Sequence, residues 1–319
     1  MSDPLHNDLP GEFSLIARHF RPIAGPGALD LLDDAALLDP PPGRTLVLTT
    51  DAMVAGVHFL PRDDPAEIAQ KLLRVNLSDL AAMGATPLAY LLTISAPRDT
   101  PDAWFATFAQ GLATDSAHFN ITLLGGDTTQ TPGPLTLSLT AIGHTAPGGA
   151  IRRTGAGVGD AVYVTGTIGD GALGLLARQG ELPDPTGHLS RRYGLPQPRL
   201  GLLQPGLVHA AMDISDGLVQ DLGHLARAAG LGAVINAPAV PLSPEAQAAN
   251  RLPLCLTGGD DYELLIAASP HQEPALQAAA AALHIPLTCI GHFEPGTAVR
   301  VLNAQGTPIP LDHQGWSHF

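Results

Sequence analysis

Lysine is almost missing from this chain: Lys71 stands alone beside fifteen arginines. A phosphate cradle of the G-x-x-x-x-G-K-[ST] kind needs a lysine closing a glycine loop, and Lys71 lies mid-helix, far from any such loop. A protein-kinase arrangement needs a strand lysine and an H-R-D loop; neither occurs. The formal charge is −14, which excludes a nucleic-acid partner, since that needs a basic stripe. Cys255 and Cys289 form no C-x-x-C pair, so no disulfide framework or zinc site is expected and both read as reduced core thiols. No run of 18 apolar residues is present, which removes a membrane span. Met1 to Pro10 carries Asp3 and Asp8 and no apolar run, unlike a secretory leader. A cytoplasmic protein is expected.

Glutamate is scarce too, at 7 against 23 aspartates. A merely solubilising surface would use glutamate freely, whereas aspartate suits turns, caps and short-armed metal ligands. Five stretches set aspartate among apolar or small residues: Leu31-Leu32-Asp33-Asp34-Ala35, Leu48-Thr49-Thr50-Asp51, Asn76-Leu77-Ser78-Asp79-Leu80, Gly125-Gly126-Asp127-Thr128-Thr129 and Ala211-Met212-Asp213-Ile214-Ser215-Asp216-Gly217. That context predicts burial, and aspartate is rarely buried without a partner. Bare carboxylates about 4 Å apart repel by roughly 4 kcal/mol at an effective dielectric of 20. Hard divalent cations supply the missing charge, and Mg²⁺ commonly shares its oxygen ligands with phosphates. The residues therefore point to a Mg²⁺-dependent phosphoryl-transfer site.

At 319 residues, 45% of them apolar, the chain can bury a sizeable core in two domains. Residues 1–150 and 151–319 are the expected divisions, split in the Gly- and Arg-rich stretch Pro147 to Gly159, as two α+β domains meeting at a shared cleft. Asp64-Pro65-Ala66-Glu67 provides an N-cap, a proline at N1 and a glutamate at N3, opening a helix to about Met83. A strand over Thr45–Thr50 should end at Asp51, and a short strand over Ile121–Leu124 should end at Gly125. Further strands are expected over 88–95, 135–144, 161–165, 210–214, 233–236, 262–268 and 287–291. Helices are expected over 12–20, 102–118, 170–179, 216–229 and 271–284. Residues 182–205, with several prolines, read as an irregular connection holding one short helix.

Several motifs carry two readings. Gly155-Ala156-Gly157-Val158-Gly159-Asp160 looks like a dinucleotide loop, but its strand follows instead of preceding it, so a turn is the better reading. In Gly125-Gly126-Asp127 the glycines allow close approach to a phosphate; a tight turn with an aspartate cap fits equally. Ser215 or Asp216 reads as an N-cap, yet Asp213 lies where no cap reaches. Two carboxylates three apart beside a helix N-terminus make a metal and phosphate platform. His58 by itself reads as structural. No Ser-His-Asp or Cys-His arrangement has motif support.

These segments occur in an order that resembles the thiamine-monophosphate kinase family. The order runs Gly11-Glu12-Phe13-Ser14-Leu15-Ile16, Asp33-Asp34-Ala35-Ala36-Leu37, Thr49-Thr50-Asp51, Val75 to Ala85 and Gly125 to Thr129. It continues through Val164-Thr165-Gly166-Thr167, Asp213 to Leu218 and Gly259-Asp260-Asp261-Tyr262-Glu263-Leu264, with Gly315-Trp316 near the end. The resemblance implies ATP-dependent phosphorylation of thiamine monophosphate to thiamine diphosphate with several Mg²⁺ ions. It implies the α+β, two-domain architecture shared with aminoimidazole ribonucleotide synthetase. There the N-terminal domain forms a sheet or barrel at a homodimer interface, and a C-terminal α/β domain completes the cleft. Carried over by position, it implies metal ligands at Asp33, Thr49, Thr50, Asp51, Asp79, Asp127, Asp213 and Asp216. ATP contacts fall at Gly126, Asp127, Arg153 and Ser215, and substrate contacts at His58, Asp260 and Trp316. Leu32 replaces a usual glycine and Asp260 a frequent glutamate, so the backbone at 32 should be less free and the arm at 260 shorter.

The mechanism expected is in-line transfer carried by positioning and charge neutralisation, with no covalent or general-base residue. Rival readings are another ATP-using enzyme of the same fold, a two-metal phosphohydrolase, and a nonenzymatic metal- or nucleotide-binding protein.

Overall fold

The computed structural model describes residues 11–311 and 313–316; the leader question at Met1–Pro10 lies outside them. The chain divides into two compact units, one running to Leu80 and resuming over Thr86–Pro147, the other comprising Ala81–Ala85 and the residues from Gly148 on.

In the first unit, helix α1 (Gly11–His19) precedes strand β1 (Thr45–Val54), helix α2 (Pro65–Ala82) and strand β2 (Thr86–Ala96). Helix α3 (Asp102–Phe119) and strands β3 (Thr122–Gln130) and β4 (Thr136–Thr145) follow. The Asp64 carboxylate accepts from the backbone N–H of Ala66 at 2.8 Å, which is the cap its spacing predicts. The four strands form an open sheet in the order β1-β4-β2-β3, leaving β1 and β3 at the edges. Arg74 on α2 clasps the buried Asp115 on α3 at 2.6 Å. The Tyr90 hydroxyl pairs with Ser116 at 2.9 Å, joining sheet to helix.

Two expectations fail here. β1 does not end at Asp51: it pairs with β4 from Thr45↔Thr145 to Val54↔Thr136, because Ala52-Met53-Val54 continue the alternation and bury Met53. Likewise β3 runs through Gly125–Thr129, held in parallel register with β2 past a bulge after Tyr90. The diglycine is therefore strand, not a turn. Gly126 has φ +153°, and a Cβ there would lie 1.6 Å from the Leu92 carbonyl oxygen, so strand pairing itself requires the glycine.

The second unit holds β5 (Ala161–Thr165), α4 (Asp170–Gln179), α5 (His188–Gly194), β6 (Ala210–Asp213), α6 (Leu218–Ala229) and β7 (Gly232–Asn236). It continues with α7 (Pro244–Ala249), α8 (Leu252–Thr257), β8 (Leu264–Ala268), α9 (Glu273–Ala282), β9 (Leu287–Glu294) and β10 (Val299–Leu302). The sheet order is β10-β7-β9-β5-β8-β6. Side chains alternate along β5: Val162 and Val164 pack with Leu222 and Leu225 of α6, while Tyr163 packs with Leu276 and Ala280 of α9. The sheet is thus buried on both faces, which explains its near-continuous apolar strands. Helix α5 is the short helix expected within 182–205, while α7 and α8 occupy a stretch the sequence left unassigned. The 155–160 loop is a turn, closed by the Asp160 carboxylate accepting from the Gly157 N–H at 2.7 Å. The fold of the whole chain is α+β.

Candidate functional site

In the first unit, β1 presents Thr49 and Asp51 on one face, two residues apart. The Thr49 hydroxyl donates to the Asp79 carboxylate on α2, and the Asp51 N–H donates to Asn76 Oδ1 at 3.2 Å. Burial, and secondly the nearby Asp79 carboxylate, push Asp51 up to about 6. Thr50 stands on the opposite face, its hydroxyl donating to the Leu139 carbonyl at 3.2 Å. Its side chain is not brought to the Thr49–Asp51–Asp79 group.

A second group surrounds a cavity of about 240 Å³ lined by Asp33, Asp34, Gly126 and Asp127 with Phe20 and Leu124 among its apolar walls. The burial expected of Asp33, Asp34 and Asp127 is wrong: all three are exposed. Asp127 sits on an edge strand, and Asp33-Asp34 follow a short turn outside any regular element. Leu32 takes φ −113°, an ordinary conformation, so replacing glycine there brings no left-handed strain. The tightness lies just upstream, where Leu29, Asp30 and Leu31 all have φ between +53° and +57°.

His58 follows β1 in a closed loop. Val57 and His58 both donate backbone N–H groups to the Val54 carbonyl at 3.0 Å. His58 Nδ1 accepts the Val54 N–H, also at 3.0 Å.

In the second unit, Asp213 ends β6 and is 4% exposed. Beyond it, the backbone N–H groups of Ser215, Asp216 and Gly217 all donate to Asp221 Oδ2 at 3.0 to 3.1 Å. The cap on this helix entry is thus Asp221, reaching back from α6, and neither Ser215 nor Asp216. The Asp260 N–H donates to the Ser215 carbonyl and the Trp316 N–H to the Asp216 carbonyl, each at 2.9 Å. One dipeptide backbone therefore anchors both Asp260 and Trp316. Asp260 adopts φ +69°, which aspartate tolerates better than most residues, and its carboxylate accepts from the Tyr262 hydroxyl at 3.2 Å. Trp316 is 56% exposed, leaving ring surface for stacking. Arg153 is exposed, and its charge reaches His224: burial first, then Arg227 and Arg153, lower that imidazole.

Asp221 and His224 were not singled out as ligands by the sequence, although their i, i+3 spacing on one helix places them on one face. Asp216, Asp221 and His224 bring one ligand atom each to within 4.8 Å of one another. Burial, and secondly Asp216, raise Asp221 to about 7. Carboxylates held together against their own charge, at Asp51–Asp79 and at Asp216–Asp221, are the oxygen donor sets that a hard divalent cation relieves. The residues fit Mg²⁺.

Sequence comparison matches residues 32–145 to the family described as AIR synthase related protein, N-terminal domain, and residues 157–302 to its C-terminal domain family. A thiamine-monophosphate kinase of Caulobacter vibrioides is 47% identical, the match covering 97% of this chain and 91% of the relative. The crystal structure of thiamine-monophosphate kinase from Stenotrophomonas maltophilia is 40% identical, with a TM-score of 0.79 over 85% of this chain and 89% of that one. AaThiL complexed with AMPPCP and TMP is 31% identical, with a TM-score of 0.77 over 90% of this chain and 91% of that chain.

Proposed function

Because this chain belongs to the thiamine-monophosphate kinase family of AIR synthase related proteins, we propose that it transfers the γ-phosphoryl group of ATP directly to the phosphate of thiamine monophosphate through an aspartate-held Mg²⁺ assembly. It is a thiamine-phosphate kinase, and ATP and thiamine monophosphate are its substrates. The observation that carries the proposed mechanism is the crowding of carboxylates around family ligand positions: Asp51 lies against Asp79, and Asp216 lies against Asp221, which is not itself one of those positions.

Asp33, Thr49, Thr50, Asp51, Asp79 and Asp127 in the first unit, and Asp213 and Asp216 in the second, are the proposed Mg²⁺ ligands, Thr50 through an atom other than its outward hydroxyl. When bound, Mg²⁺ neutralises phosphate charge and so lowers the repulsion between two polyanions. Gly126, Asp127, Arg153 and Ser215 serve the nucleotide: Gly126 contributes main chain to the cavity wall, and Arg153 supplies positive charge to phosphate oxygens. An acceptor phosphate oxygen, already ionised, attacks Pγ; the bond from Pγ to the ADP oxygen breaks, and no side chain need remove a proton. Trp316 stacks on the substrate rings with a cation–π component from the thiazolium, and Asp260 complements the same positive charge. His58 donates to the substrate. No phosphoenzyme forms.

The exposed residues Leu48 and Leu91 support a homodimer. Cross-strand register puts Thr50, Thr140 and Leu91 in one row, on the face away from Asp51. Leu48 at 62% and Leu91 at 39% exposure leave that face apolar, as expected of a surface that packs against a second sheet. Among the described residues no helix is long and apolar enough to cross a membrane; a cytoplasmic site of action is part of the proposal.

The test is incubation with ATP, Mg²⁺ and thiamine monophosphate followed by assay of thiamine diphosphate. Formation of only ADP and inorganic phosphate would replace the kinase reading with a hydrolase. Retained ATP binding in Asp51→Asn and Asp213→Asn, with no turnover even in the parent chain, would leave a binding protein.

A further inference from the structure

Tyr262, like Asp260, has a left-handed backbone, at φ +50°. Two such residues within three store strain, which persists only where the surroundings over-determine the chain. Between them lies Asp261, 1% exposed. Its Oδ2 accepts the Gly169 N–H at 2.8 Å, and its Oδ1 accepts those of Gly169 and Gly171 at 3.0 and 3.1 Å. These N–H groups open α4 and need partners, and the N-cap residue Gly169 has no side chain to supply one. The contacts span 90 and 92 residues of sequence, whereas an ordinary cap joins near neighbours. They tether α4 to the 260–262 segment. A Cβ on Gly171 would lie 2.2 Å from the Asp260 carbonyl oxygen, so this close approach requires glycine. On the other side, the Tyr262 N–H donates to the Ile214 carbonyl at 2.8 Å, and Arg192 Nη2 donates to the Asp261 carbonyl at 3.2 Å. Burial pushes the Asp261 carboxyl well above its ordinary value, with the Gly169 and Gly171 N–H groups pulling the other way. The setting calls for acceptor oxygen more than for negative charge.

We propose that Asp261 is a positioning residue for the acceptor substrate: by capping α4 from a distant segment, it fixes the left-handed backbone of Asp260 and so the place of that carboxylate. This deepens the reading of Asp260 as a substrate contact and rests on it. Asp261 touches no reacting atom; its effect passes through one peptide unit. The Ser215–Gly217 turn is held separately, by Asp221, so loss of the tether separates thiamine monophosphate from ATP kinetically.

The experiment compares Asp261→Ala, Asp261→Asn, Gly171→Ala, Asp260→Ala and the Asp260→Ala, Asp261→Ala double variant with the parent enzyme, varying each substrate separately. Asp261→Ala is expected to raise the KM for thiamine monophosphate about tenfold, with the KM for ATP and kcat within about twofold. Asp261→Asn keeps Oδ1 as acceptor for both N–H groups and should raise that KM no more than about threefold. Gly171→Ala keeps every charge and suits a helix, yet displaces the Asp260 carbonyl, and should give the same selective rise. It carries the comparison should Asp261→Ala not fold. With Asp260 already alanine, Asp261→Ala should add less than about twofold, because its route to the substrate is gone. An equal rise in both KM values, a full multiplicative effect in the double variant, or asparagine as damaging as alanine would overturn the inference. If Asp260→Ala raises the KM for thiamine monophosphate and neither Asp261→Ala nor Gly171→Ala does, the tether fails while the substrate contact stands. If Asp260→Ala leaves that KM unchanged, the substrate reading of Asp260 falls and takes the tether with it.

Discussion

The backbone N–H of Trp316 donates to the carbonyl of Asp216 at 2.9 Å, so a residue near the chain's end is tied to the start of α6. The Gln220 side-chain amide adds a second tie, donating to the Trp316 carbonyl at 2.7 Å. These hydrogen bonds hold the segment through its backbone, and Trp316 is 56% exposed. Trp316→Ala should therefore raise the KM for thiamine monophosphate about tenfold while moving the melting temperature by no more than about 2 °C, since exposed substitutions cost little. Trp316→Phe should recover part of the affinity through stacking. Steady-state kinetics with thermal melts checks both; an unchanged KM in the alanine variant would remove Trp316 from the substrate site.

Asp51 gives a pH dependence with a definite sign. Its folded pKa of about 6 lies above the ordinary value of 3.8, so between the two the native state holds a proton that the unfolded chain has released. The stabilising contribution is whole below about 4 and is lost as pH rises through 6, amounting to on the order of 3 kcal/mol without divalent cation. Melting temperature in chelator should fall from this group across that window, and Asp51→Asn should flatten its part of the slope. Added Mg²⁺ should restore stability at pH 7 and much less at pH 4. Equal stabilisation at both pH values would contradict a carboxylate-held cation.

Asp221 separates capping from charge. Its one oxygen receives three successive N–H groups, which Asp221→Ala would strand in a largely buried turn, at a cost of roughly 2 kcal/mol. Asp221→Asn keeps an acceptor and removes the repulsion from Asp216, and should stay within about 0.5 kcal/mol of the parent in metal-free buffer. Urea unfolding measures both; comparable losses in the two variants would show that the charge, not the acceptor, matters.

Leu48 tests assembly. Leu48→Glu places a charge on the apolar sheet face and should convert a dimer into a monomer by light scattering, with far-UV circular dichroism preserved. A parent chain that is already monomeric at micromolar concentration would remove the proposed interface.

The primary sequence by itself determined the local features. The Asp64-Pro65-Ala66-Glu67 spacing places the α2 start because an N-cap is a contact between near neighbours, and alternation along 135–144 marks β4 because side-chain period 2 is intrinsic to a strand. The family was legible as well, since its motifs are contiguous words. Only tertiary structure decided which carboxylates meet and which face water. Asp51 and Asp79 are neighbours because a strand lies under a helix, and Asp127 is exposed because β3 is an edge. Hydrogen bonds and Coulomb interactions act over a few ångströms of space, whereas periodicity and capping act over a few residues of chain.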